Sequence, residues 1–154
     1  MMYTRALVED DIDQIMGLSL GPVDSAWSKK ALEDVLKGIV EGAYLASVGL
    51  DKETGQVIAY AVASYASDQG DVQNILVDRS FRGRGLGRHL LQALIDGLVT
   101  QGVETVFLEV RSSNDVAVNL YQSIGFVQIQ KRRDYYPGVD GVREDAWVFS
   151  LACL

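Results

Sequence analysis

This chain has very little of what several protein classes need. Its 154 residues include one cysteine, Cys153, and one histidine, His89. A lone thiol forms no disulfide within the chain, which fits a reducing compartment. One Cys and one His cannot build a zinc site of the usual kind. Lys and Arg number 14 against 21 Asp and Glu, a net charge of −7. That balance argues against a general nucleic-acid binder or a protein of anionic membranes, and mildly favours cationic partners. No run approaches the roughly 20 apolar residues of a membrane span. Glu9, Asp10, Asp11 and Asp13 stand where a secretory leader would need an apolar core. The expectation is a cytoplasmic protein with no metal, no direct nucleic-acid contact and no membrane partner.

What remains is ordinary globular composition, 48% hydrophobic and 23% charged, on a chain long enough for one sizeable core. A single domain over 1–154 is expected, with no linker, repeat or low-complexity tract. Residues 2–8 alternate as a first strand. Residues 9–20 carry Ile12, Ile15 and Met16 on one face with acids in the first turn, the pattern of an amphipathic helix broken by Gly21-Pro22. Ser28 is the expected N-cap of a second helix with Leu32, Val35, Leu36, Ile39 and Val40 at helical spacing and Gly42 at its end. Strands over 43–50 and 56–65 flank a polar hairpin at 51–55. A turn at 68–70 precedes a fourth strand over 72–77. Leu86, Leu90, Leu94 and Leu98 recur at i+4, with Leu91 and Ile95 beside them. Strand 105–111 points Val106, Leu108 and Val110 one way and Phe107, Glu109 and Arg111 the other. A helix over 115–123 ends at Gly125. Strands over 126–133 and 145–151 close the chain, with a turn-rich loop at 135–142 between them. The order βααβββαβαββ predicts an α/β fold: a mixed sheet of about seven strands with helices on both faces.

The stretch from Asn74 to Arg88 organises the rest. A strand end is followed by a polar turn, then by Gly83, Gly85 and Gly87, then by a helix start. Glycines let a backbone approach a ligand, and the free N–H groups of a helix N-terminus point at it. Arg79, Arg82, Arg84 and Arg88 are four of the chain's 14 basic residues, and no acid follows Asp78 until Asp96. A cationic patch on an acidic chain suits a polyphosphate. The Gly-Lys-Ser/Thr of a P-loop is absent, and the glycine spacing differs from the dinucleotide fingerprint.

Arg82-Gly-Arg-Gly-Leu-Gly87 resembles the acetyl-CoA loop of the GNAT superfamily of N-acetyltransferases. Leu108-Glu-Val-Arg-Ser-Ser-Asn114, Leu120-Tyr121, Gly125-Phe126, Arg133-Asp-Tyr-Tyr136 and Glu144-Asp-Ala146 are similar to the branch that acetylates protein N-termini. The resemblance covers essentially the whole chain. Within that branch it is strongest to enzymes that acetylate the N-terminal alanine of a small-subunit ribosomal protein. Ala26-Trp27-Ser28 echoes that branch with Ala26 where Pro is usual, and the loop after Tyr136 is about one residue longer.

The resemblance implies acetyl-CoA as co-substrate. Ile75, Leu76 and Val77 would offer backbone groups to its acetyl and pantetheine part. The backbone of Gly83, Arg84, Gly85, Leu86, Gly87 and Arg88, with Arg82, would cradle the pyrophosphate. Asn114 matches a cofactor contact and equally reads as a helix cap. Glu109 is the candidate general base; the bland alternative is a solvated charge on an edge strand. An α-amine is mostly protonated at neutral pH, so a base has work to do. Tyr121 is the candidate acid for the departing thiolate; the alternative is a core aromatic. Trp27, Tyr135 and Tyr136 would line a peptide groove. Adjacent strand tyrosines point to opposite faces, so at most one would enter the groove and the other would pack. Trp27 could equally be core. His89 reads as a surface or packing residue, and Glu144-Asp145 as a turn or cap pair.

The expected function is direct transfer of acetyl to the N-terminal α-amine of a protein. Two rivals stay open: an acetyltransferase of small amines, and a non-catalytic acyl-CoA-binding module.

Overall fold

The computed structural model describes residues 2–20, 27–138 and 141–153. Strand β1 (Met2–Ala6) leads through a 3₁₀ turn (Glu9–Asp11) into α1 (Ile12–Met16). Helix α2 (Lys29–Val40) precedes β2 (Tyr44–Asp51), β3 (Val57–Ala66) and β4 (Gln69–Val77). A second 3₁₀ turn (Arg79–Phe81) opens α3 (Leu86–Thr100); β5 (Thr105–Arg111), α4 (Asp115–Ile124), β6 (Val127–Tyr136) and β7 (Glu144–Ala152) come next. The strands form one seven-stranded sheet in the order β1-β2-β3-β4-β5-β7-β6. Among the described residues only β4 and β5 run parallel, joined by the crossover helix α3.

Each face of the sheet carries a core. The i+4 leucines of α3 are all buried, together with Val106, Leu108, Val110, Tyr121, Phe126 and Phe149. The opposite core packs Ile12 and Ile15 of α1 and Leu32 and Val35 of α2 onto Val48, Tyr60, Val62 and Leu76. The alternation of β5 is the expected one, with 106, 108 and 110 buried and 107, 109 and 111 half-buried.

Several elements depart from expectation. Helix α1 stops at Met16 instead of reaching residue 20, and Met16 is 47% exposed. Gly17 closes the last turn, and the loop after β4 then captures Ser19. The Ser19 N–H donates to Asp78 Oδ2 at 2.8 Å, and its carbonyl accepts from Arg79 N–H at 3.0 Å. The proposed break at Gly21-Pro22, and Ala26, lie outside the described residues. Ser28 does cap α2, accepting from Ala31 N–H at 3.1 Å. Val40, the last residue of α2, leaves the apolar stripe and is 88% exposed. The β3–β4 turn is Ser67-Asp68, with Ser67 at φ 57°, so Gln69 and Gly70 belong to β4. Strand β6 runs on through Tyr135 and Tyr136, taking both out of the expected loop; Val139 and Asp140 lie outside the described residues. Strand β5 lies between β4 and β7, which removes the edge-strand reading of Glu109.

Candidate active site

Strands β4 and β5 register over four pairs, Gln69↔Thr105 to Val72↔Leu108, and then part. The β3–β4 register slips where Val62 faces Asn74 but Ala63 faces Val72, so Gln73 is bulged out of the ladder. A bulge bends its strand and increases local twist. Beyond Val72 the strand keeps β3 on one edge, while no β5 residue registers with the other. The parting leaves a cleft of about 270 Å³. Gln73 to Leu76 form one wall, Glu109 and Arg111 the other. Trp27, Asn114, Tyr121 and Tyr136 also line it.

Glu109 reaches the cleft from the sheet face opposite α3 and α4, and its carboxylate accepts from Arg132 Nη1 at 2.7 Å. The side chain is 32% exposed. Tyr121 comes from α4, within the α3–α4 core. Its ring meets Phe126 edge-on at 5.9 Å and Phe149 at 6.4 Å. Burial, and then the neighbouring Tyr136, push the Tyr121 hydroxyl up to about 12. The phenol therefore stays protonated throughout the neutral range.

Below the cleft the chain turns into the glycine loop. Gly83 and Gly85 have φ of 77° and 75°, the left-handed region where a Cβ is strained. A Cβ on either would meet nothing within 4 Å, so the loop is open on its outer side. Helix α3 starts at Leu86, which leaves the first-turn N–H groups of Leu86, Gly87 and Arg88 without intrahelical acceptors. Arg82 Nε donates to the Val77 carbonyl at 3.1 Å, tying the loop to the strand end. Arg84 stacks on Phe81 at 5.3 Å, and Arg88 bonds Ser123 Oγ at 2.6 Å, joining α3 to α4. His89 is exposed. Of the expected backbone trio, Ile75 and Leu76 line the cleft, while Val77 sits at the strand end beside the loop. A left-handed glycine turn, open outward, running into a helix start is a fit cradle for a diphosphate.

Asn114 caps α4, its Oδ1 accepting from Ala117 N–H at 3.2 Å, and also faces the cleft. Both readings of this residue are geometrically open. Trp27 donates its backbone N–H to the buried Tyr60 hydroxyl at 3.2 Å while lining the cleft. Tyr135 and Tyr136 do not split to opposite faces. The β6–β7 register breaks between Arg132 and Tyr136, and Asp134 takes φ 50°. The two rings then meet edge-on at 5.0 Å; Tyr136 lines the cleft and Tyr135 lies outside it.

Sequence reasoning gave no chemical role to four residues around this cleft. Arg132 pairs Glu109. Arg111 lies over the Tyr136 ring at 4.6 Å and bonds the Pro137 carbonyl at 2.9 Å and Glu144 at 3.2 Å. Glu144, in β7, is held below its ordinary range by Ser113 and then by Arg111. Asp71, on the face of β4 that Glu109 shares, has its carboxyl pushed up by burial and then by the charge of Glu109. The shared face of Asp71 and Glu109 follows from the parallel β4–β5 register, and the arginine contacts depend on strand order and a bulge. Among the described residues no group of three His, Cys, Asp or Glu could hold a metal, and no helix is long and apolar enough to cross a membrane.

A glycine–arginine loop at the mouth of two parted parallel strands defines an acyl-CoA N-acyltransferase fold. The chain belongs to the acetyltransferase (GNAT) family, whose model matches residues 12–126. It is 46% identical over 99 residues to a [ribosomal protein bS18]-alanine N-acetyltransferase of Escherichia coli K12, covering 64% of this chain and 66% of that protein. It is 35% identical over 147 residues to the protein of that name from Haemophilus ducreyi, covering 96% and 97% of the two chains. The crystal structure of the ribosomal-protein-S18-alanine N-acetyltransferase from Escherichia coli superposes with a TM-score of 0.85 at 35% identity, covering 99% of this chain and 94% of that one.

Proposed function

We propose that the chain, acting as one domain, transfers acetyl from acetyl-CoA to the N-terminal α-amine of a protein. The acceptor is the N-terminal alanine of a small-subunit ribosomal protein, modified in the cytoplasm. The observation that carries this is the meeting of Glu109 and Tyr121 in one cleft beside the glycine loop. The names of the relatives support the acceptor.

The N–H groups from Gly83 to Arg88, with Arg82, hold the pyrophosphate, and the unregistered edge of β4 from Gln73 to Leu76 receives the pantetheine arm as an added strand. Acetyl-CoA supplies an activated thioester. Asn114, Trp27 and Tyr136 close the cleft around thioester and acceptor, with Tyr135 at the rim. Glu109 takes a proton from the incoming ammonium, which frees the nitrogen lone pair. A C–N bond forms as the C–S bond breaks, and β4 edge N–H groups stabilise the charge developing on the carbonyl oxygen. The ammonium loses two protons overall. Glu109 passes one to solvent, and the other balances the proton that Tyr121 gives to sulfur. A thiol titrates near roughly 8.5, below the buried phenol, so full transfer to a free thiolate runs uphill. Tyr121 therefore acts as a hydrogen-bond donor to the departing sulfur, and its proton crosses only in concert with its replacement by the second proton of the ammonium.

No covalent acyl-enzyme is needed. Burial pushes the Cys153 thiol up, away from the reactive thiolate, and Cys153 lines a separate hollow between α3 and the end of β7. The test is purified protein with acetyl-CoA and two acceptor panels, Ala-starting peptides and small polyamines. Acetylated peptide α-amine is expected. Acetylated polyamine alone would assign a small-amine enzyme, and tight acetyl-CoA binding without turnover would assign a binding module.

A further inference from the structure

Glu109 is already engaged by a cation. Arg132 extends from β6, across β7 from Glu109, and holds the carboxylate with Nη1 at 2.7 Å. Its guanidinium carbon also lies 4.2 Å from the centre of the Tyr135 ring. A carboxylate on one side and an aromatic face on the other is how proteins recognise an ammonium group. The scaffold behind this arrangement is fixed. Asp134 N–H donates to Asp145 Oδ1 at 3.0 Å, and Arg143 donates to the carbonyls of Asp134 and Tyr135 at 2.7 and 2.8 Å. The Arg132 side chain itself is 44% exposed, so water is at hand to receive the guanidinium when it swings away. Arg111 differs: it is 25% exposed and tied to both Glu144 and Pro137, a strut beneath Tyr136.

We propose that Arg132 is an internal competitor for the acceptor: its guanidinium occupies the ammonium position beside Glu109 and Tyr135, and the N-terminus of the acceptor displaces it. This rests on the reading of Glu109 as the base. The exchange swaps one cation for another, so the partly covered carboxylate keeps a charged partner throughout. It also sets a specificity rule. An acceptor that brings no positive charge cannot release Arg132, so the site discriminates for a charged amine before any proton moves.

The experiment compares wild type with Arg132→Gln and Arg132→Lys, using an Ala-starting peptide at saturating acetyl-CoA. The dissociation constant of the same peptide is measured by calorimetry with CoA bound. Arg132→Gln is expected to lower both the peptide KM and the dissociation constant about two- to fivefold, the worth of an exposed ion pair. Its kcat and acetyl-CoA KM should stay within about twofold. Arg132→Lys keeps a cation without the planar fork and should fall between. Unchanged or weakened peptide binding in Arg132→Gln would overturn the proposal. So would a fall in kcat at constant KM, which would assign Arg132 to holding Glu109 in place. Failure of wild type to acetylate any peptide would instead sink the proposed function, so the two outcomes are distinguishable.

Discussion

Glu109 and Tyr121 leave opposite faces of the sheet and still line one cleft. In a continuous sheet the β5 backbone would separate them. The parting of β4 from β5 after Val72 and Leu108 removes the barrier, so a group lying between the strands has a carboxylate on one side and a phenol on the other.

If Glu109 is the base, Glu109→Gln keeps the shape and removes the proton acceptor. The peptide kcat/KM should fall about 10²- to 10⁴-fold, while the acetyl-CoA dissociation constant changes by less than about twofold. Steady-state kinetics with fluorescence or calorimetric titration of acetyl-CoA checks both. Retention of full activity would remove Glu109 from the chemistry.

Tyr121→Phe keeps the ring contacts with Phe126 and Phe149, so the fold should survive. Turnover should drop about 10- to 100-fold, the lower part of the range for a positioned proton donor, with little change in the KM for acetyl-CoA. The pH profile adds a second check. The hydroxyl is raised to about 12, so it remains protonated until pH rises through that value. Wild-type kcat should show no fall attributable to Tyr121 between roughly pH 8 and 10.

Gly85 and Gly87 make a controlled pair in the loop. Gly85 sits at φ 75° with open space outside, so Gly85→Ala meets no clash and only backbone strain. That strain is about 1–2 kcal/mol, and relieving it would rotate the amides away from the pyrophosphate. The acetyl-CoA dissociation constant should rise about tenfold or more. At Gly87 a Cβ would meet Leu120 at an ordinary 3.5 Å, so Gly87→Ala should cost distinctly less. Equal effects at both positions would argue against a conformational role for Gly85.

Asp11 anchors the start of the chain. Its buried carboxylate takes a two-pronged bond from Arg5 at 2.7 and 2.9 Å and accepts the Val8 N–H at 2.9 Å. Burial pushes the carboxyl up, but the Arg5 and Val8 bonds outweigh it and leave it below its ordinary value. A depressed folded value stabilises above the unfolded one, near roughly 3.9, and that stability fades as pH falls through the folded value. Asp11→Asn should cost about 1–3 kcal/mol at pH 7. Urea unfolding should show the gap to wild type holding to about pH 5 and narrowing below about pH 4.

Much of the fold was legible because periodicity reports burial. The α3 leucines, the β5 alternation and the Ser28 cap stand as the sequence implied. Local rules failed where distant chain intervened. Capture of Ser19 by Asp78 and Arg79 shortens α1, and a bulge at Asp134 turns Tyr135 and Tyr136 onto each other. Part of the cleft lining was legible as residues, Glu109, Asn114, Tyr121 and Tyr136 among them, and the arrangement was not. Nothing in the spacing of Glu109, Arg132 and Asp71 reveals that β7 inserts between β5 and β6, or that β4 runs beside β5 in parallel.

The decisive measurement is mass spectrometry of small-subunit ribosomal protein N-termini from cells with and without this chain. One protein is expected to carry an acetyl group on its N-terminal alanine only when the chain is present, with Glu109→Gln behaving as the deletion. Identical N-termini in all three samples would contradict acetyl transfer to that acceptor.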